Sequence, residues 1–134
     1  MATIESAVRS MLTQGTTLSS VGIPDSRIAH GYRLQDSILP ALTYELDQDE
    51  RISIGSPALA RVQVEIRVIA ERTEAALAVI DDVQAVCVPG TYDTVPFSAV
   101  QWLGHTIEPA NTSDGDENTP AELVCMADIY YTEP

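Results

Sequence analysis

The chain has 134 residues and a mass of 14.5 kDa, the length of one ordinary domain. Apolar residues make up 45%, enough for a packed core, which excludes a disordered chain. Asp and Glu number 20 against 7 basic residues, all of them arginine, so the net charge is −13; such a field repels phosphate backbones and anionic membranes and excludes nucleic-acid gripping or lipid-surface binding.

Taken in chain order, residues 3–14 carry Ile4, Ala7, Val8, Met11 and Leu12 at the spacing of one apolar helical face. Thr3 is placed to cap that helix, Glu5 suits its first turn, and Gly15 can end it. Residues 15–26 mix Gly, Ser, Thr and Pro and read as a loop, and residues 27–34 read as a short strand weakened by Gly31. Leu42, Tyr44 and Leu46 alternate with polar or small neighbours, the signature of a half-buried strand entered through Pro40. Asp47-Gln48-Asp49-Glu50-Arg51 is expected to form a solvated turn or hairpin tip, with Ile52 to Ile54 continuing the hairpin and Gly55-Ser56-Pro57 breaking it.

The clearest element follows: Val62, Val64, Ile66 and Val68 face one way and Arg61, Gln63, Glu65 and Arg67 the other, a long one-sided strand. Residues 72–87 predict a second helix with Thr73 as its cap and Ala76, Val79, Ile80, Val83 and Cys87 on its inner face. Pro89-Gly90 ends it. Two further strands are expected over 97–108 and 121–132, separated by a polar loop from Glu108 to Pro120. The order helix, strands, helix, strands predicts a single α+β domain over residues 1–134, a mostly antiparallel sheet with two helices packed on it.

Residues that would carry chemistry are sparse. The start, Met1 to Glu5, has neither a basic region nor an apolar run, so no secretory leader is expected. No apolar run approaches the roughly 18 residues that a membrane-spanning helix needs. Cys87 and Cys125 sit among Val86, Val88, Val124 and Met126 and read as free, buried thiols in a reducing cytoplasm. There is no Gly-x-Ser-x-Gly, and with no lysine there is no phosphate-binding Gly-Lys loop. His30 and His105 stand alone, without the close second donor that zinc sites use. Asp114, Asp116 and Asn118 have the opening spacing of a calcium loop, but Pro120 and Cys125 occupy the positions that require glycine and glutamate. Asp81-Asp82 falls on the polar side of the second helix, so solubility is its expected role. No cofactor or metal is expected. Of the adjacent Tyr130 and Tyr131 on the last strand, one must face away from the core, where an aromatic ring suits an interface.

The layout as a whole resembles a known family. An amphipathic first helix leads to Arg27-Ile28-Ala29-His30-Gly31-Tyr32-Arg33-Leu34, then to Leu39-Pro40-Ala41-Leu42-Thr43-Tyr44-Glu45-Leu46. The strand Ala60 to Ala70 runs into a helix opening Thr73-Glu74-Ala75-Ala76, and the end closes on Asp128-Ile129-Tyr130-Tyr131. This pattern is similar to that of the tail-terminator (tail-completion) proteins of long-tailed bacteriophages. The acidic loop at 108–120 and the lack of lysine are not part of the family's pattern.

The resemblance implies a small α+β subunit, not an enzyme, that assembles as a ring, usually hexameric, on the last ring of the tail tube. Such a ring stops tube polymerisation and offers a docking face to the head connector. The partners implied are other copies of the chain, the tail tube protein and the connector or neck protein. The location implied is the head-proximal end of the tail in the virion, after assembly in the host cytoplasm. A head-to-tail ring needs two different complementary patches on each subunit. The mixed face of Arg61, Glu65 and Arg67, with Tyr130 and Tyr131, is the candidate subunit interface. Asp47, Asp49, Glu50 and Arg51, and Asp114, Asp116 and Glu117, are candidates for loops facing tube, connector or lumen. Six copies at −13 each carry −78, which would keep DNA passing through the lumen from sticking. Two other readings compete: a connector or neck subunit on the head side, and a small ligand-binding domain or enzyme using His105, Asp128 or Tyr130 in a pocket under the sheet.

Overall fold

The computed structural model describes residues 3–14, 23, 28–31, 41–52, 58–108 and 121–132, with only the backbone described at 48–50, 107, 108 and 121. In chain order these form helix α1 (Ile4–Leu12), strands β1 (Ile28–His30), β2 (Ala41–Arg51) and β3 (Leu59–Ala70), and helix α2 (Thr73–Val86). Strands β4 (Gly90–Tyr92), β5 (Val95–Glu108) and β6 (Ala121–Thr132) follow. One six-stranded sheet has the order β1-β2-β3-β6-β5-β4, antiparallel except for the β1–β2 pair. The expected α+β architecture is the one observed.

Alternation decides which side of the sheet is covered. Val62, Val64, Ile66 and Val68 of β3 lie level with Ile129, Ala127, Cys125 and Leu123 of β6, and all are buried. Leu42 and Tyr44 of β2 join them, as do Ala76, Val79, Ile80 and Val83 of α2 and Ala7, Val8, Met11 and Leu12 of α1. Both helices therefore sit on one face, because a residue period of two on the strands and 3.6 on the helices presents both apolar stripes to the same layer.

Helix α1 begins where the sequence indicates. The Thr3 hydroxyl accepts from the Ser6 N–H and the Ser6 hydroxyl accepts from the Thr3 N–H, each at 3.0 Å, a reciprocal cap. Helix α2 starts differently. Arg72, not Thr73, is its capping residue, and no side chain caps it; Glu74 in the first turn still favours the positive end of the dipole.

Two further expectations change. The charged run Asp47 to Arg51 is not a turn. It continues β2 to Arg51, with a register irregularity between Asp47 and Glu50, because the 12-residue β3 extends far enough to pair with it. A bulge absorbs the extra residue. The last hairpin also gains a short strand, β4, joined to β5 by a two-residue turn at Asp93-Thr94 with φ of 49° and 68°. Positive φ at both positions is the geometry that matches the twist of paired strands, but the usual sequence signal is Asn-Gly or Asp-Gly. Here a β-branched threonine holds the second position, so the turn was hidden.

Helix α1 touches distant parts of the sheet. The Ser6 hydroxyl donates to the Asp93 carboxylate at 2.5 Å, and Arg9 donates to the Ile28 carbonyl at 2.5 Å. Gln14 donates to the Val86 carbonyl at 2.7 Å. By register β1 lies level with residues 66–68 of β3, and β4 lies level with residue 60. The short outer strands thus occupy diagonally opposite corners, both drawn toward α1, as the twist of a sheet allows.

The strain at Thr94 is testable. Thr94→Gly should raise stability by about 0.5–1 kcal/mol, the cost of a left-handed L-residue less the entropy cost of glycine, read as a higher urea midpoint at unchanged slope.

Candidate interaction surface

The face of the sheet away from the helices has no covering element among the described residues. It carries Arg61, Gln63, Glu65 and Arg67 from β3 and Glu122, Met126 and Tyr130 from β6, all partly exposed. Arg67 organises it: one guanidinium nitrogen donates to Glu122 at 2.6 Å and another lies 2.7 Å from Glu65. The hydrogen bond to Glu122 and the charge of Glu65 hold this guanidinium above the ordinary arginine range, against the opposing effect of burial. Glu45 on β2 stands directly across from Glu65, a like-charge pairing that costs stability unless a cation lies beside it. Arg61 lies 3.9 Å from Asp128 on the same face.

The candidate interface residues divide between the two faces. Arg61, Glu65, Arg67 and Tyr130 share the open face, whereas Tyr131 is buried in the core beneath the helices. The core therefore claims one tyrosine of the pair and leaves Tyr130 to the surface. Asp47 and Arg51 are exposed along β2, and Asp49 and Glu50 belong to the same strand. Asp114, Asp116 and Glu117 lie outside the described residues.

The residues of the ligand-binding alternative do not converge. Asp128 is level with Gln101 of β5 and Tyr130 with Ala99, whereas His105 is level with Cys125, three residues away from Asp128. A shallow depression of about 110 Å³ opens at the β5–β6 pair, lined by Leu103, Gly104, His105, Thr106, Val124 and Met126. It includes neither Asp128 nor Tyr130. Its shape comes from a register irregularity between Trp102 and Gly104, where Gly104 has φ of +102°, a conformation that L side chains rarely adopt. Among the described residues no three His, Cys, Asp or Glu side chains gather into a metal-binding group, and no helix is long and apolar enough to cross a membrane.

A polar cluster under α1 was not legible in the sequence. The buried Tyr44 hydroxyl donates to Glu5 at 2.6 Å, and the His30 ring stacks on Tyr44 with centroids 5.2 Å apart. His30 Nδ1 lies 3.9 Å from the same carboxylate. Burial, and then the Glu5 carboxylate, push the Tyr44 phenol up to about 12. A tyrosine on the inward side of a strand needs a partner for its hydroxyl, but nothing local identifies Glu5, 39 residues earlier. Cys87 and Cys125 are free and buried, and burial pushes both thiols up to about 12.

No protein-family model matches the chain, and no curated protein matches it. Among solved structures it is similar to a chain from the virion of a native gene transfer agent particle. The TM-score is 0.64 at 12% identity, over 96% of this chain and 94% of the other. At that identity the likeness is one of fold, and it extends over nearly the whole of both chains.

Arg67→Met should lower stability by about 1 kcal/mol at low salt, because Glu65 and Glu122 are left without their shared cation; the loss should shrink as added salt screens them. Stability should also fall at high pH. The unfolded chain ionises its thiols near 9 and Tyr44 near 10, while the folded chain holds those protons to about 12. Stability present below pH 9 is therefore lost progressively between pH 9 and 12. Tyr44→Phe should flatten the part of that loss above pH 10 in a series of urea melts.

Proposed function

We propose that this chain is a structural protein of a phage-like virion, and that it acts as a tail terminator. It forms a ring that caps the tail tube, halts tube growth and presents a docking face to the head connector. The observation that carries this reading is the likeness of fold, over 96% of this chain, to a virion chain of a gene transfer agent particle. It joins the resemblance of the sequence layout to tail terminators. The described surface supports the same reading: its features are ion-paired strands and acidic side chains, which suit contacts between proteins better than turnover of a substrate.

A net charge of −13 on each copy also fits a channel that passes DNA without holding it. The second reading, a connector or neck subunit, rests on the same likeness of fold, since a virion chain of this shape need not sit on the tube.

Removal of the gene separates the two. Loss of a terminator leaves tails abnormally long in electron micrographs, whereas loss of a connector leaves tails of normal length without heads. The purified protein is expected to form rings of uniform diameter by negative-stain microscopy. A chain that stays monomeric at high concentration and is absent from purified particles would remove both virion readings.

A further inference from the structure

We infer that the outer face of α2, with Leu77, Asp81 and Val88 at its centre, docks a different protein of the particle, one that presents apolar side chains among cationic ones. The inference rests on the virion reading above and adds a partner surface to it.

The two helices differ in what they turn away from the core. Helix α1 buries Ala7, Val8, Met11 and Leu12 and keeps Glu5, Ser6, Arg9 and Ser10 on its partly exposed side, the usual division of an amphipathic helix. Helix α2 buries Ala76, Val79, Ile80, Val83 and Val86, yet Ala75, Leu77, Ala78 and Ala85 are exposed away from them. Apolar residues therefore run all the way round α2, the composition of a helix that is covered on every side. Alanine alone would need no partner, being the best helix former. The larger side chains decide the matter: Leu77 is 37% exposed and Val88, just past the helix, 40%.

Val88 does not belong to a fraying end. Its N–H donates to the Val86 carbonyl at 3.0 Å, and its carbonyl accepts from the Tyr92 hydroxyl at 2.8 Å. Gln14 also donates to the Val86 carbonyl, at 2.7 Å. The apolar anchor at this end is thus held in place from β4 and from the end of α1. Leu77 and Val88 are separated by about 16 Å at about 1.5 Å per residue, the length of a short helix or strand laid along α2.

Charge selects the occupant. Asp81 and Gln84 stand one and two turns on from Leu77 along the same side of the helix, and Glu74 precedes it. Glu74 and Asp81 are exposed, and among the described residues neither has a cationic partner. Acids set between apolar anchors favour a partner whose cations meet them. A second copy is a poor counterpart, because it brings 20 acids against 7 arginines and no lysine. A protein of the opposite charge balance fits this face.

The position of α2 leaves room for this partner alongside other copies. Arg61, Glu65, Arg67 and Tyr130, the candidate subunit interface, lie on the face of the sheet away from the helices, and Arg61 and Arg67 are already ion-paired there. Because the sheet separates the two surfaces, one copy can hold its neighbours and a different protein at the same time.

The test uses variants at exposed positions of α2. Leu77→Glu and Asp81→Arg should keep the near-ultraviolet circular dichroism, melting midpoint and oligomeric state of the wild type, since neither side chain packs in the core. Each should be incorporated into particles at least about tenfold less, as loss of an interface anchor predicts, measured by immunoblot of purified particles assembled without the wild-type copy. Ala78→Cys reports coverage. Its thiol should react with a maleimide as an exposed cysteine does in the free protein, and about tenfold more slowly in intact particles, as burial in an interface requires; Cys87 and Cys125 are buried and contribute little background. Equal labelling in the two states, or variants incorporated at the wild-type level, would overturn this docking face and leave the virion reading standing. Slow labelling already in the free protein would overturn it too, because a second copy would then be the occupant. Wild-type protein missing from particles would instead overturn the virion reading, and this inference with it.

Discussion

Burial of one sheet face beneath α1 and α2 is the constraint on which the rest of the molecule depends. It sorts every strand residue into a covered and an uncovered class. Helix α1 does more than cover. Through Ser6 to Asp93 and Arg9 to Ile28 it ties the sheet's two diagonally opposite corners, and with them β1 and β4. Neither strand is longer than three residues, too short to hold its place by pairing alone. The same ties leave the other two corners, at the end of β2 and along β5, without an outer strand among the described residues. A single packing decision therefore determines where both short strands sit.

The uncovered face is neither apolar nor bare. Arg67 lies between Glu65 and Glu122, and its charge partly neutralises Glu65, which stands across from Glu45. Ion pairs this exposed contribute little to stability, so their consequence is mainly to keep a large flat surface polar. Among the described residues the exposed large apolar side chains are scattered, Ile52 just past β2, Leu103 on β5, and Leu77 and Val88 at α2. The reactive side chains follow the opposite logic. Both thiols are buried with their pKa values raised, and Tyr44 spends its hydroxyl on Glu5 inside the structure.

Likeness of fold to a virion chain at 12% identity, over 96% of this chain, means that the pattern of strands and helices is shared while most individual residues differ. A fold held by alternating apolar residues tolerates such drift, because many apolar side chains satisfy the same inward position.

The sequence by itself determined the α+β class, both helices and the strands whose side chains alternate cleanly. Val62 to Val68 and the face of α1 could be read directly, because their periods of 2 and 3.6 are local properties. The inward residues of β6 were legible for the same reason, though not which tyrosine of Tyr130 and Tyr131 would be claimed by the core. Tertiary structure decided what depends on partners distant in the chain. Asp47 to Arg51 became strand because β3 runs alongside it, against its own solvated, turn-like composition. Asp93-Thr94 became a tight turn because β4 and β5 pair, overriding the conformational preference of threonine. Tyr44 met Glu5, and Arg67 met Glu122, across separations of 39 and 55 residues. Which strands stand side by side was likewise set by the sheet order, since no local pattern of residues encodes a partner distant in the chain.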